Sequence, residues 1–71
     1  MESSLTEREM NVLRYLAQGL TNEEIAKRLC ISVHTVKAHL ETIYEKLHVT
    51  NRVQAAMKSV ILGFVDLTTL L

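Results

Sequence analysis

The sequence contains few of the residues that interrupt helices. Its 71 residues include no proline and only two glycines, Gly19 and Gly63. Proline and glycine form many of the turns that separate one strand from the next, so their scarcity favours helices throughout the chain. We therefore expect an all-α fold in which helices are joined by short turns.

Cysteine and long apolar segments are also scarce. The single cysteine, Cys30, cannot form a disulfide within the chain, and a lone cysteine among apolar neighbours is usually a small buried side chain. No apolar run approaches the roughly 18 residues that a membrane-spanning helix needs, and residues 1–4 do not resemble a signal peptide. These absences predict a cytoplasmic protein without a membrane partner.

The chain has no excess of charge of either sign. Eight basic and eight acidic residues give a formal net charge of zero. This balance argues against DNA binding, because DNA-binding domains usually carry excess lysine and arginine that neutralise phosphates. The charges are unevenly placed, however: five glutamates lie in the first third of the chain, and Lys37, Lys46, Arg52 and Lys58 follow later. A locally basic face is compatible with this distribution.

Two capping-box patterns mark the first two helices. Thr6 and Glu9 predict a first helix from near Glu7 to near Gln18, which Gly19 ends. Thr21 and Glu24 repeat the pattern and open a short second helix.

A turn at residues 30–32 follows, in which Ile31 is expected to point inward and Ser32 to cap a third helix. The apolar series of that helix advances by three and four residues and predicts its buried face: Val33, Val36, Leu40, Ile43 and Leu47. Thr50 is expected to cap a fourth helix from Asn51 to about Leu62.

The length and composition predict one domain over residues 1–71, with a core at about 5–63 and an apolar tail at 64–71. The tail contains Leu67, Leu70 and Leu71 without a clear period. It can fold back on the core, pack in a dimer, or be the end of a piece of a longer protein. The fourth helix carries more apolar surface than one core contact needs, which implies a second packing partner.

Residues 21–40 follow a helix-turn-helix plan. In DNA-binding proteins of this plan, the second helix of the pair enters the major groove and the first crosses the phosphate backbone. Ala26 is small enough to permit a close crossing of the two helices. Tight helix pairs also occur in many all-α domains that never touch DNA, so the plan alone leaves function open.

Several short segments at fixed spacing resemble the LuxR-type (GerE and NarL-like) DNA-binding domain of bacterial transcription regulators. They include Leu5–Glu9, Gly19–Ala26, Thr35–Leu40 and Lys46–Arg52, and the resemblance extends from about Leu5 to Gly63 without a gap. It implies four helices, of which the third reads DNA and the fourth forms a dimer. It also implies that many relatives carry a second domain, such as a receiver.

The resemblance places Lys37, Ala38 and Glu41 toward base edges, and the helical wheel agrees because these residues lie opposite Val36 and Leu40. His34 shares the same polar face and is a further candidate for base contact. The predicted contacts to the DNA backbone are listed together: Asn22, Thr35, His39, Lys46 and Arg52. Arg52 has the alternative of pairing with a carboxylate.

Two glutamates depart from the family pattern. Glu23 stands where a basic residue is common and would repel phosphates, and Glu41 either accepts a hydrogen bond from cytosine N4 or points into water. The histidines and Cys30 do not have the spacing of a metal site, so no metal or other cofactor is expected. Nor is an enzyme expected, because no nucleophile and base are arranged together in so small a domain.

The expected partners are double-stranded DNA and a second copy of the chain, with RNA polymerase as a further candidate. The predicted dimer surface lies on the fourth helix and comprises Val53, Met57, Val60 and Ile61. The alternative is a non-catalytic protein-interaction module that no longer binds DNA, which the neutral charge, Glu23 and Glu41 favour.

Overall fold

A computed structural model describes residues 4–66, and four α-helices make up most of this range. They are α1 (Glu7–Ala17), α2 (Asn22–Leu29), α3 (Val33–Leu47) and α4 (Arg52–Ile61). The described residues contain no β-strand, so the all-α expectation is confirmed. The three leucines of the predicted tail, at positions 67, 70 and 71, lie outside the described residues.

Both predicted capping boxes are present. At the start of α1, Thr6 Oγ1 accepts a hydrogen bond from the Glu9 amide at 3.1 Å, and Glu9 Oε1 accepts one from the Thr6 amide at 2.9 Å. Thr21 and Glu24 make the same exchange at α2, at 3.2 and 2.8 Å. Each pair satisfies backbone donors that a helix start would otherwise leave without partners.

The expectation that Thr50 caps α4 is wrong. Asn51 is the cap, because its backbone is extended and its Oδ1 accepts a hydrogen bond from the Gln54 amide at 2.9 Å. Thr50 instead donates from its amide and its hydroxyl to Gln54 Oε1, at 2.9 and 3.1 Å. The helix therefore begins one residue later than predicted.

Cys30 is exposed, contrary to the expectation that it is buried. It ends α2 with a φ of 57°, in the left-handed region, and His48 ends α3 in the same way with a φ of 58°. A left-handed residue reverses the chain direction after a helix and here leaves the cysteine side chain outside the core. Backbone geometry at the turn has overridden the preference of cysteine for burial.

The core forms where α1, α2 and α3 meet and where α4 packs on α1. Its fully buried side chains include Val12, Leu13, Ile25, Val36 and Ile43. The predicted face of α3 is confirmed at Val36, Leu40, Ile43 and Leu47, whereas Val33 is only half-buried. From α4 only the small residues Ala55 and Ser59 are buried, which lets this helix approach α1 closely.

Packing continues beyond the predicted end of the core at residue 63. Phe64 packs against the core cluster, and Val65 is 5% exposed. The Phe64 and Val65 amides both donate to the Ser59 carbonyl, at 2.8 and 3.2 Å. The segment after α4 is thereby folded back toward α1 and α3.

No helix in the range 4–66 has the length and apolar character needed to cross a membrane.

An ion pair joins the start of α1 to the end of α3. Lys46 Nζ lies 2.8 Å from Glu9 Oε1, and the side chains of Lys46 and Glu9 are 22% and 8% exposed. Burial by itself would raise the pKa of Glu9, but hydrogen bonds from Lys46 and Thr6 and the charge of Lys46 outweigh it, so the pKa lies below its usual value. The pair therefore stabilises the fold while Glu9 is ionised.

This pKa shift predicts a specific pH dependence for Glu9→Gln. A carboxyl whose pKa is lowered by folding stabilises the protein above its unfolded pKa, near 4.3, and loses that contribution as pH falls through the folded pKa. We expect the wild type to be more stable than Glu9→Gln by about 1 kcal/mol at pH 7, because a charge-assisted hydrogen bond becomes a neutral one. Thermal unfolding from pH 7 to 3 should show the two curves converging below pH 4, whereas a difference that is constant with pH would contradict a role for the charge.

Candidate nucleic-acid interface

Helices α2 and α3 are joined by a tight turn at residues 30–32. The Ile31 amide donates to the Ala26 carbonyl at 3.0 Å, and the Ile31 side chain packs against the core cluster, as predicted. Ser32 caps α3 by accepting a hydrogen bond from the Thr35 amide at 3.0 Å. These contacts hold α3 at a defined angle to α2 and expose its outer face.

The four predicted base-reading residues lie together on that outer face. His34, Lys37, Ala38 and Glu41 are all exposed, while the opposite side of α3 is buried in the core. Two of the predicted backbone-contacting residues, Thr35 and His39, are half-buried and lie along one edge of this face. The face is thus free of packing within the described residues and extends over about two helical turns.

A groove runs beside the start of this face, between α3 and the beginnings of α2 and α4. The residues that line it are Gly19, Leu20, Thr21, Asn22, Glu23, Val33, Lys37 and Arg52. Lys37 and Arg52 bring two cations to the groove, and Glu23 brings one carboxylate. Asn22, Lys37 and Arg52, which are far apart in the sequence and are all predicted to contact DNA, therefore lie beside the same groove.

The start of α2 adds backbone donors to the same groove. The capping box uses the amides of Thr21 and Glu24, and the Ile25 amide donates to the Thr21 carbonyl at 2.9 Å. The first-turn amides of Asn22 and Glu23 then remain as donors at the positive end of the helix dipole. A phosphate oxygen is a suitable acceptor for donors of this kind.

Arg52 does not pair with a carboxylate. Its Nη1 donates to Asn22 Oδ1 at 2.8 Å, and its Nη2 donates to the Leu20 carbonyl. The residue belongs to the first turn of α4, so these hydrogen bonds connect α4 to the start of α2. The sequence offered no signal for this contact, because the two partners are 30 and 32 residues away from Arg52.

Lys46 lies elsewhere. Its ammonium group donates to Glu9 Oε1 at 2.8 Å and to the Ser4 carbonyl at 3.1 Å, next to the start of α1. The structure does not bring it to the groove that contains Lys37 and Arg52. Its predicted contact with the DNA backbone would require it to leave the ion pair.

The predicted dimer residues form an exposed apolar surface on α4, which we call the α4 stripe. Val53, Met57 and Ile61 are spaced four residues apart and are 67%, 60% and 77% exposed. Val60 is half-buried at the edge of the stripe. Exposure of three large apolar side chains in a row is unusual for a surface that stays in contact with water.

The histidines do not gather into a metal site. Within residues 4–66, no group of three or more histidine, cysteine, aspartate or glutamate side chains is placed to hold a metal ion. His34 is on the outer face of α3, His39 is at its edge and His48 is at its end. Their placement is compatible with contact to DNA or to water.

The family to which this architecture belongs is shown by comparison with known proteins. Residues 3–59 match the family described as bacterial regulatory proteins, luxR family. The chain belongs to the LuxR family. It is a helix-turn-helix domain of a transcription regulator, and the family is one of regulators rather than enzymes. The resemblance seen in the sequence is thereby confirmed.

Several curated relatives are similar to this LuxR-family domain. It is 53% identical over 55 residues to the nitrate/nitrite response regulator protein NarP of Escherichia coli, covering 78% of the chain and 26% of the relative. It is 48% identical over 54 residues to the transcriptional regulatory protein LiaR of Bacillus subtilis, covering 76% of the chain and 26% of the relative. It is 42% identical over 62 residues to the HTH-type transcriptional regulator AlkS of Alcanivorax borkumensis, covering 87% of the chain and 7% of the relative. The chain thus spans about a quarter of these relatives' length, or less.

The cap of α3 generates a stability prediction for the LuxR-family domain. Ser32→Ala should lower the free energy of unfolding by about 1 kcal/mol, because the Thr35 amide loses its acceptor. The melting temperature should fall by about 4–8 °C, and hydrogen exchange should accelerate in the first turn of α3. Ser32→Asp retains an acceptor and should melt near the wild type. An unchanged melting temperature in Ser32→Ala would show that the cap contributes little.

Proposed function

We propose that this LuxR-family domain binds double-stranded DNA by placing the outer face of α3 in the major groove. The observation that carries the proposal is the exposed face of Lys37, Ala38 and Glu41 directly beside a groove that contains two cations and free first-turn amides. An α-helix fits the width of the major groove, and a helix-turn-helix presents its second helix there. The relatives named as transcription regulators support the same function.

The base-reading roles follow from the chemistry of the exposed side chains. Lys37 would donate to guanine O6 and N7, and Ala38 would contact a thymine methyl group. Glu41 would accept from cytosine N4, and His34 would lie over the base pairs at the start of the helix. These roles together give sequence specificity, since phosphate contacts carry none directly.

Contacts to the DNA backbone are expected on both sides of this face. Asn22 and the first-turn amides of α2 would meet a phosphate on the groove side, and Thr35 and His39 would meet the backbone on the other. Glu23 lies among the groove residues and would weaken the attraction for phosphate. Lys46 would reach the DNA backbone only by leaving its ion pair with Glu9.

Two copies are proposed to act together. The α4 stripe is an apolar surface on the side of α4 opposite Ala55 and Ser59, so a second copy could cover it by two-fold symmetry. The two α3 helices would then enter successive major grooves, with half-sites about 10 base pairs apart on an inverted repeat. Because two linked domains make twice as many contacts with DNA, a dimer would bind more tightly than a single domain without net charge.

The chain is proposed to serve as the DNA-binding part of a longer response regulator in the cytoplasm. The support is that it covers about a quarter of relatives such as NarP, whose name describes a response regulator. A signal received elsewhere in such a protein would control exposure of the DNA-reading face or dimer formation. RNA polymerase is the partner that a regulator bound at a promoter would recruit or block.

A second candidate function is a protein-interaction module that does not bind DNA. The zero net charge and the carboxylate of Glu23 in the groove favour it, and the α4 stripe would then be the functional surface. Charge reversal at Lys37 distinguishes the two, because it should disrupt a DNA complex and spare one made through α4.

Lys37→Glu should abolish salt-dependent DNA binding. The change removes a donor to guanine and adds a carboxylate facing the duplex, so we expect affinity for genomic duplex DNA to fall by at least tenfold. For the wild type, the logarithm of the affinity should fall with the logarithm of salt concentration by about 0.9 for each phosphate neutralised. Fluorescence anisotropy across a salt series measures both quantities.

Arg14→Glu is the matched control for this experiment. Arg14 is exposed on α1 and lies outside the groove, so its reversal makes the same change in net charge away from the proposed interface. We expect a change of less than about threefold at moderate salt, because distant charges are screened. Equal losses in the two variants, or no binding by the wild type at low salt, would contradict the proposed mode.

Met57→Glu should separate dimer formation from DNA reading. A carboxylate in the middle of the α4 stripe would have to be buried in the dimer, at a cost of several kcal/mol. We expect cooperative binding to an inverted repeat to be lost and binding to a single half-site to stay within about threefold of the wild type. Met57→Leu keeps the stripe apolar and should keep cooperativity. Retained cooperativity in Met57→Glu would place the dimer surface elsewhere.

A further inference from the structure

Arg52 makes two side-chain hydrogen bonds that connect α4 to the start of α2. Its guanidinium crosses from the first turn of α4 to the start of α2, where Nη1 donates to Asn22 Oδ1 at 2.8 Å and Nη2 donates to the Leu20 carbonyl. Arg52 is half-buried, so the contact is partly shielded from water. Two nitrogen atoms of one rigid group are thus used within the protein.

This contact determines which way the Asn22 amide is turned. A guanidinium has only donors, so the atom of Asn22 that faces it must be the amide oxygen. The NH2 group of Asn22, which carries two donors, then lies at the opposite end of the planar amide and is turned away from the Nη1 atom of Arg52. Asn22 lines the groove together with Lys37. An NH2 group that is not used by Arg52 would be a donor for an acceptor that enters this groove.

We propose that Arg52 is a positioning residue for DNA binding: it holds the Asn22 side chain with its NH2 group presented to a phosphate of the DNA backbone. The inference rests on the proposed function, and it differs from the expectation that Arg52 itself contacts the backbone. Through this contact the orientation of α4, which carries the α4 stripe, is linked to the phosphate-binding end of α2. A dimer formed through α4 would thereby also fix Asn22.

The planar fork of arginine suits this role and lysine does not. Arg52 spans two acceptors on α2 and the preceding loop with fixed geometry, whereas an ammonium is a single point donor on a flexible stem. If Arg52 acted directly on a phosphate, lysine would retain most of the effect, because both side chains carry the same charge. The two roles therefore make opposite predictions for Arg52→Lys.

Asn22→Asp is the main test. The aspartate keeps an oxygen for Arg52 and is favourable at a helix start, so the melting temperature should not fall. The donor to phosphate is replaced by a negatively charged oxygen, so affinity for duplex DNA should fall by roughly tenfold or more. Asn11→Asp, on α1 outside the groove, makes the same change of charge and should alter affinity by less than about threefold.

Arg52→Lys and a double-mutant cycle complete the experiment. Arg52→Lys should lower the affinity for duplex DNA to about the same extent as Asn22→Ala. The double variant should lose little more than either single variant, because both substitutions remove the same Arg52-positioned Asn22 side chain. The dependence on salt should be the same in Arg52→Lys as in the wild type. Anisotropy titrations at several salt concentrations, with melting temperatures recorded for each variant, provide these readouts.

The possible outcomes are distinguishable. Binding of Asn22→Asp that equals the wild type, or of Arg52→Lys that equals the wild type, would overturn the positioning role and leave DNA binding intact. Additive losses in the cycle would overturn it too, because they would mean that Arg52 acts independently of Asn22. Failure of the wild type to bind DNA, with Lys37→Glu indistinguishable from it, would overturn the proposed function and this inference together.

Discussion

Burial of one side of α3 is the constraint on which the rest of the structure depends. Val36, Leu40, Ile43 and Leu47 recur at the period of the helix, and the core formed with α1 and α2 covers all four. Because a helix has two sides, fixing the buried one also fixes the exposed one, which carries Lys37, Ala38 and Glu41. A domain this small has little apolar area to bury, so loss of this contact would leave neither a stable core nor a defined outer face of α3.

The charged residues differ in what they contact, so a net charge of zero does not describe the charge at any one face. Lys46 is paired with Glu9, and Lys58 donates to the Leu47 carbonyl at 2.6 Å, so these cations hold helices together. Arg52 similarly connects α4 to the start of α2. Lys37 is exposed on the outer face of α3 beside the groove. Net charge is a sum over the whole surface, whereas binding depends on the local field at one face.

Helix α4 exposes large apolar side chains on the side opposite its packing contact. Ala55 and Ser59 are small and completely buried, and the large side chains Val53, Met57 and Ile61 point away from the core. A helix that packed for stability alone would bury its large residues, since these contribute most to the hydrophobic effect. The arrangement is understandable if a second copy covers the stripe, and the Arg52 contact would then transmit that association to the start of α2.

Local patterns in the sequence determined most of the fold. The capping boxes at Thr6 and Thr21, the cap at Ser32 and the apolar period of α3 depend on residues three or four positions apart, so they can be read directly. Two local details differ from the expectation: Asn51 rather than Thr50 caps α4, and Cys30, whose backbone is left-handed, is exposed. The outer face of α3 was predictable, since it is the complement of the buried one.

The sequence by itself determined the four helices, the helix-turn-helix plan and the family, because these depend on short-range spacing. Only the tertiary structure decided which cations are free and which are used internally. The contacts of Lys46 with Glu9 and of Arg52 with Asn22 join residues 37 and 30 positions apart. Such pairings depend on how the helices pack, and no local pattern encodes them.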